Sequence, residues 1–190
     1  MKLLVLGEGK NDIGDPYADP ACRGAVTIFA QRVLQAHGVG LADGEVHGGQ
    51  LSRFHNASAG ARGFDRKVTL SIAEAARRGY ASVAIVVDRD GAKNAQRLSL
   101  LEKGREEAKT VGRSPGTRAL AARTAVGVAI ETIEAWLLAD GAAAKEILHP
   151  KSQVPSVNPE SLWGEKTAPS HPKNVFQRLL ESATRTVSHP

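Results

Sequence analysis

Three short apolar runs constrain the fold of this chain most, because each has the length of a buried strand and is followed closely by an acidic residue. The runs and their acidic residues are 3–6 with Glu8, 83–87 with Asp88 and Asp90, and 125–130 with Glu131. Valine-rich runs of this kind are typical of strands covered on both faces, as in a parallel sheet. Helical patterns lie between them at 24–37, at 65–79 with Asp65 as the cap, and at about 95–109. Residues 112–116 are predicted to form a connection rich in glycine, proline and arginine. The sequence therefore predicts an α/β fold with a mostly parallel sheet flanked by helices.

The acidic residues after these runs are spaced for cation binding. In open α/β sheets, ligands bind outside the carboxyl ends of the strands, where these carboxylates fall. Asp88 and Asp90 are two residues apart, so a continued strand would turn both side chains to one face. Glu131 and Glu134 are three residues apart at a predicted helix start, which places them on one face near its positive end. Hard oxygen ligands suit Mg²⁺, so these residues together with Glu8 predict a magnesium site.

Other interpretations of the same motifs remain open or fail on spacing. A single Glu after a strand can cap a turn, Asp-x-Asp-Gly is a common turn sequence, and paired glutamates favour many helix N-termini. The dinucleotide fingerprint fails because Asp12 stands where a third glycine is needed. A P-loop fails because Asn11 follows Lys10 in place of serine or threonine.

The bulk properties predict one domain, residues 1–190. We assign residues 1–140 to its core and 141–190 to a helical and irregular C-terminal extension. Residues 48–64 are rich in glycine, serine and alanine and are predicted to form a long polar loop. No apolar run approaches the roughly 20 residues that span a bilayer, no signal-peptide pattern is present, and a single cysteine cannot form an internal disulfide. We therefore expect a cytoplasmic protein with no membrane partner.

Positive charge is concentrated in one segment. The net charge is +5, and residues 93–124 carry eight basic side chains against three acidic ones, whereas the rest of the chain is balanced. A basic segment near a carboxylate site is suited to hold a phosphate backbone, and a solvated helix face is the alternative. The basic residues predicted to bind nucleic acid are Lys93, Arg97, Arg105 and, near the C-terminus, Lys173.

Two sets of motifs resemble a known family. An apolar strand before Glu8-Gly9-Lys10-x-Asp12, with a second strand before Asp88-x-Asp90, resembles the Toprim domain of topoisomerases, primases, OLD-family nucleases and recombination-repair proteins. The chain further resembles the bacterial Toprim-like family of unknown function numbered 4276. That resemblance rests on the string Ile130-Glu131-x-x-Glu134-Ala135-Trp136-Leu137-Leu138-Ala139-Asp140, on Asn158-Pro159-Glu160 and on His171-Pro172-Lys173.

The resemblance implies roles for individual residues on a Rossmann-like sheet. It makes Glu8 the acid/base at the scissile phosphate and a metal ligand, and makes Asp88 and Asp90 ligands of Mg²⁺ (or Mn²⁺). In the same resemblance, Glu131 and Glu134 would complete a second ion site, and Glu134 is counted as catalytic. Lys10 or Lys173 would neutralise the charge that develops during the reaction.

The expected function is a Mg²⁺-dependent Toprim-type nuclease or other phosphotransfer enzyme that acts on nucleic acid. Family analogy adds a defence or mobile-element setting and an ATPase partner. A topoisomerase is not expected, because only Tyr17 and Tyr80 are present and the separate tyrosine domain is lacking. One alternative is a non-catalytic module that binds nucleic acid or a partner. The other is a haloacid-dehalogenase-like phosphatase, because residues 86–91 also resemble the first motif of that family. DNA versus RNA and the oligomeric state stay open.

Overall fold

The computed structural model describes residues 1–9, 13–14, 24–42, 44–54, 63–88, 95–111, 114–129 and 167–187. The strands in these residues are β1 (Leu3–Gly7), β2 (Val46–Gln50), β3 (Ser82–Asp88) and β4 (Thr124–Ala129). The helices are α1 (Ala25–Ala36), α2 (Leu51–Phe54), α3 (Phe64–Arg77), α4 (Arg97–Val111), α5 (Pro115–Ala122) and α6 (Pro172–Val187).

The described strands form one parallel sheet in the order β2-β1-β3-β4. In the register of the sheet, Leu3 of β1 lies opposite both Val46 of β2 and Ser82 of β3. All five residues of β1 are buried, as expected for a strand with a neighbour on each side and both faces covered. The predicted α/β fold, with a mostly parallel sheet flanked by helices, is confirmed.

The edge strand β2 lies partly in the segment predicted to be a polar loop, residues 48–64. The structure has the end of β2 and all of α2 there, so the prediction is wrong for these elements, while residues 55–62 lie outside the described residues. Gly48 and Gly49 give the strand no apolar alternation, which is why the pattern did not indicate it. A Cβ at Gly48 would lie 2.3 Å from the Ile13 carbonyl oxygen, so glycine permits this close approach.

Helices α3, α4 and α5 supply much of the hydrophobic core that packs against the sheet. Burial of each large aliphatic side chain contributes about 1.5–3 kcal/mol, which makes this cluster the main source of stability for the sheet layer. The fully buried members of the cluster with the largest side chains are Leu4, Leu6, Leu51, Val68, Ile72, Val83, Ile85, Val87, Leu101 and Leu120.

Two helix starts differ from the sequence prediction. Asp65 was expected to cap α3, but the helix begins one residue before it, and Gly63, with φ of 86°, is the N-cap. Helix α5 begins inside a segment predicted to be a connection. The Ser114 Oγ accepts a hydrogen bond of 3.1 Å from the Thr117 N–H, and Pro115 occupies the first helical position. A serine cap followed by proline is a helix-start signal that the glycine and arginine content of the segment obscured.

The backbones of α3 and α4 approach each other closely at Gly104. A Cβ there would lie 2.3 Å from the Asp65 carbonyl oxygen and 2.8 Å from the Val68 Cβ, so a larger residue would force the helices apart. The Thr69 hydroxyl donates towards the Gly104 carbonyl oxygen at 3.0 Å. The Lys103 ammonium lies 2.8 Å from Asp65 Oδ2. These contacts fix α4 against α3, and with it the position of the first residue of α4.

The chain divides into two compact units. The first lies within residues 1–87 and 96–128 and contains most of the sheet with α1 to α5. In the second, the described part is chiefly residues 167–187, where Val175 and Leu179 of α6 are buried against Phe176. The predicted single domain stays a prediction, and its boundary at residue 140 lies outside the described residues. Within the part of the chain that the structure describes, no helix has both the length and the apolar character needed to cross a membrane.

Candidate functional site

Glu8 lies at the carboxyl edge of the parallel sheet. It comes directly after Gly7, the last residue of the central strand β1, and its side chain is 29% exposed. The neighbouring strand β3 ends on Asp88, which is half-buried. Strands β1 and β3 are parallel neighbours, so their carboxyl ends point the same way. This is the edge at which open α/β sheets bind ligands.

Arg97 holds the Glu8 carboxylate. Its Nη1 donates a hydrogen bond of 2.6 Å to Glu8 Oε2, and its side chain is only 11% exposed. The guanidinium carbon also lies 4.9 Å from the centroid of the Phe64 ring, within the range of a cation–π contact. A hydrogen bond between two charged groups is roughly twice as strong as a neutral one, and the ring restricts the guanidinium further. Arg97, the first residue of α4, therefore fixes where the Glu8 carboxylate points.

A small cleft opens beside Glu8. Its volume is about 240 Å³, and the described residues that line it are Glu8, Leu51, Ser52, Phe64 and Lys67. Helix α2 follows directly on β2, and α3 starts at Phe64, so the walls come from one strand end and two helix starts. A carboxylate, a hydroxyl and an ammonium thus meet on an apolar floor, which is the composition expected of a site for a polar ligand.

Lys67 brings a second cation to the Phe64 ring. Its Nζ lies 5.5 Å from the ring centroid. Arg97, the other cation at this ring, is neutralised by Glu8, whereas the Lys67 ammonium forms no ion pair among the residues that the structure describes. Neither Phe64 nor Lys67 is singled out by the sequence, because Phe64 falls in the segment predicted to be a loop and Lys67 is an ordinary residue of an amphipathic helix. The pairing of Arg97 with Glu8 joins residues 89 positions apart and left no local signal.

The other predicted site residues fall into two groups. Arg105 is half-buried on α4 and lies 3.4 Å from Glu106, and Lys173 is exposed on α6 in the second unit. The nucleic-acid-binding roles of these two residues and of Arg97 stay predictions. The predicted residues that lie outside the described part of the chain are Lys10, Asp90, Lys93, Glu131 and Glu134.

The donor atoms of Glu8 fit a hard divalent cation in kind. Its carboxylate supplies oxygen ligands on an accessible cleft, as Mg²⁺ requires, although Oε2 also accepts the bond from Arg97. Among the described residues, no group of three or more histidine, cysteine, aspartate or glutamate side chains is placed to hold a metal ion. Asp90 and Glu131, two of the four predicted ligands, lie outside those residues. The magnesium site therefore stays a prediction, with Glu8 and Asp88 as its described members.

Paired charges elsewhere on α3 serve the fold. The hydrogen bond from Arg77, assisted by Arg78 and opposed by burial, lowers the pKa of Glu74 to about 2. The hydrogen bond from Lys103 is the main cause that holds the pKa of Asp65 below its usual value. Glu74 lies near the carboxyl end of α3, whereas the cleft borders the first turn of α3. These pairs strengthen the helix and its contact with α4.

Comparison with known proteins assigns no family to this chain. No protein-family model matches it, and no curated protein or solved structure is significantly similar to it. The α/β class stands on the strand order and parallel register. The Toprim resemblance, with the activity it implies, stands on sequence motifs alone.

Proposed function

We propose that this protein is a metal-dependent phosphodiesterase of Toprim type that cleaves nucleic acid. The observation that carries the proposal is the position of Glu8 at the carboxyl end of the central parallel strand, on a cleft that also presents the Lys67 ammonium. Cations beside a carboxylate attract a phosphate to the group that acts on it. A site of this kind at a strand edge suits phosphodiester hydrolysis.

Glu8, Arg97 and Asp88 each have a definite role in this proposal. Glu8 exchanges a proton with the attacking water or the leaving oxygen, which typically contributes 10²–10⁴-fold to a rate. Arg97 fixes the orientation of the Glu8 carboxylate. Asp88 is the metal ligand that the Toprim resemblance implies, and its carboxylate would supply further oxygen donors. Mg²⁺ or Mn²⁺, when bound, would polarise a phosphoryl oxygen.

Site-directed variants test the proposal directly. Labelled single-stranded and duplex DNA and RNA are incubated with the protein in Mg²⁺ or Mn²⁺, and cleavage rates are measured. We expect Glu8→Gln to lower the rate by roughly 100-fold or more, since the amide cannot transfer the proton. Asp88→Asn is expected to abolish cleavage at low metal concentration and to recover part of it at high concentration. Glu102→Gln, which removes an exposed carboxylate of α4, is the control and should leave the rate unchanged.

Two results would contradict the nuclease. One is a wild-type protein that cleaves none of these substrates in either metal. The other is a Glu8→Gln variant that cleaves at the wild-type rate, since the activity would then lie elsewhere in the chain or in a contaminant.

A second function, a binding module without catalysis, is favoured by one observation. Arg97 occupies Glu8 Oε2 and neutralises the carboxylate, as a purely structural ion pair would. This alternative predicts nucleic-acid binding that weakens with salt, survives Asp88→Asn and is never followed by cleavage. The phosphatase interpretation of Asp88, the ATPase partner and the defence setting stay predictions from the sequence.

A further inference from the structure

We infer that Lys67 is a phosphate-binding residue of the cleft and that it holds a backbone phosphate of the nucleic acid next to the one that Glu8 acts on. This inference rests on the proposed function. The sequence motifs do not include Lys67, so only the structure brings it to the site.

The surroundings of Lys67 differ from those of other lysines in the same helix layer. Lys103 of α4 lies 2.8 Å from Asp65 Oδ2 and 3.8 Å from Glu107 Oε1. Lys109 lies 3.4 Å from Glu106 Oε2. The Lys67 side chain, in contrast, contacts the Phe64 ring at 5.5 Å and forms no ion pair within the described ranges of the chain. No described carboxylate therefore neutralises its charge.

The cation pair at Phe64 indicates an anionic ligand. Two positive groups, Arg97 and Lys67, lie 4.9 and 5.5 Å from the centroid of one ring, and like charges near each other repel. Glu8 compensates the charge of Arg97, and no further carboxylate among the described lining residues compensates the charge of Lys67. An anion beside Lys67 would remove this imbalance.

The cleft selects a phosphate by its shape and donors. The Lys67 ammonium offers three donors on a flexible stem, and the Ser52 hydroxyl lies on the same lining. A cleft of about 240 Å³ accommodates one phosphate with part of its sugar and is too small for a folded peptide segment. Because Glu8 lies on the same lining, a phosphate held by Lys67 would leave the adjacent linkage close to the Glu8 carboxylate.

Binding without catalysis tests the inference. Affinity for a short fluorescein-labelled single-stranded oligodeoxynucleotide is measured in EDTA by anisotropy over a series of salt concentrations. We expect Lys67→Met to weaken binding roughly tenfold and to reduce the slope of log affinity against log salt by about 0.7, the loss of one phosphate contact. Lys67→Arg should keep most of the affinity. The matched control is Lys2→Met, because Lys2 is exposed and precedes β1, at the amino-terminal end of the strand and thus away from Glu8.

The outcomes separate this inference from the proposed function. Equal binding by wild type and Lys67→Met, equal losses in Lys67→Met and Lys2→Met, or no binding by the wild type would overturn the phosphate role of Lys67. Selective loss in Lys67→Met, with no cleavage of the same oligonucleotide after Mg²⁺ replaces EDTA, would support the phosphate role and overturn the nuclease. Thermal melting of each variant shows whether the loss reflects unfolding.

Discussion

The contact between α3 and α4 and the cleft at the sheet edge use the same two helices in opposite ways. In the helix contact, Lys103 lies within ion-pair distance of two carboxylates, Asp65 and Glu107. At the cleft, Arg97 and Lys67 share one aromatic ring, and Glu8, the carboxylate on the described lining, pairs with Arg97. Ion pairs therefore strengthen the helix contact, whereas Lys67 forms no ion pair among the described residues. An anionic ligand at the cleft would supply Lys67 with a partner.

The largest effect is expected from a substitution at the contact between α3 and α4. We expect Gly104→Ala to lower the free energy of unfolding by about 1–3 kcal/mol, because the new methyl group would meet the Asp65 carbonyl oxygen at 2.3 Å. Urea denaturation measures the change. Gly127→Ala in β4 is the matched control, since a Cβ there meets nothing within 4 Å. Equal stability of Gly104→Ala and wild type would show that the helices do not pack this closely.

A smaller effect is expected at the boundary between the two regions, at Arg97. Arg97→Met removes the hydrogen bond to Glu8 and leaves a partly buried carboxylate without this cation, which should cost about 1–2 kcal/mol in the free energy of unfolding. Arg97→Lys should recover only part of the loss, because an ammonium lacks the planar group that stacks on Phe64. Arg123→Met, on an exposed residue, is the control. A loss no greater than that of the control would mean that Arg97 does not position Glu8.

The smallest effect concerns the pairs at the far end of α3, where screening by water is strong. Arg77 and Arg78 lower the pKa of Glu74 from its ordinary value of about 4.5 to about 2, so the folded protein favours the ionised form. This stabilisation is present above the unfolded pKa and is lost as the pH falls from about 4.5 towards 2. Glu74→Gln should therefore destabilise by a few tenths to about 1 kcal/mol at neutral pH, measured by urea denaturation. A difference from wild type that persists at the acid end would exclude this linkage.

Most of the sheet could be predicted from the sequence because β1, β3 and β4 are apolar runs, and β1 is buried throughout. Strand β2 could not, since its two glycines carry no periodicity: Gly48 faces the Ile13 backbone, and Gly49 faces the Leu6 and Phe54 side chains. Helices α3 and α4 showed regular patterns, whereas α5 was hidden by a short segment rich in small residues.

Residues of the site were predictable only where an acidic side chain comes directly after a strand. Glu8 was found because a carboxylate after a buried run is unusual, and so was Asp88. The neighbours of Glu8 could not be predicted: the sequence places Arg97 in a basic segment, Phe64 at the end of a polar loop and Lys67 in a helix. Contacts between residues so far apart in the chain depend on how α3 and α4 pack, which local patterns do not encode.

A crystal structure with Mg²⁺ and a phosphorothioate oligonucleotide tests the central claim, that the cleft beside Glu8 is where a nucleic-acid phosphate is bound and cleaved. The account predicts a metal ion about 2.0–2.1 Å from a Glu8 carboxylate oxygen, with a backbone phosphate within hydrogen-bonding distance of the Lys67 ammonium. Metal and phosphate bound together at another part of the molecule, with the Glu8–Arg97 pair intact and the cleft empty, would contradict it.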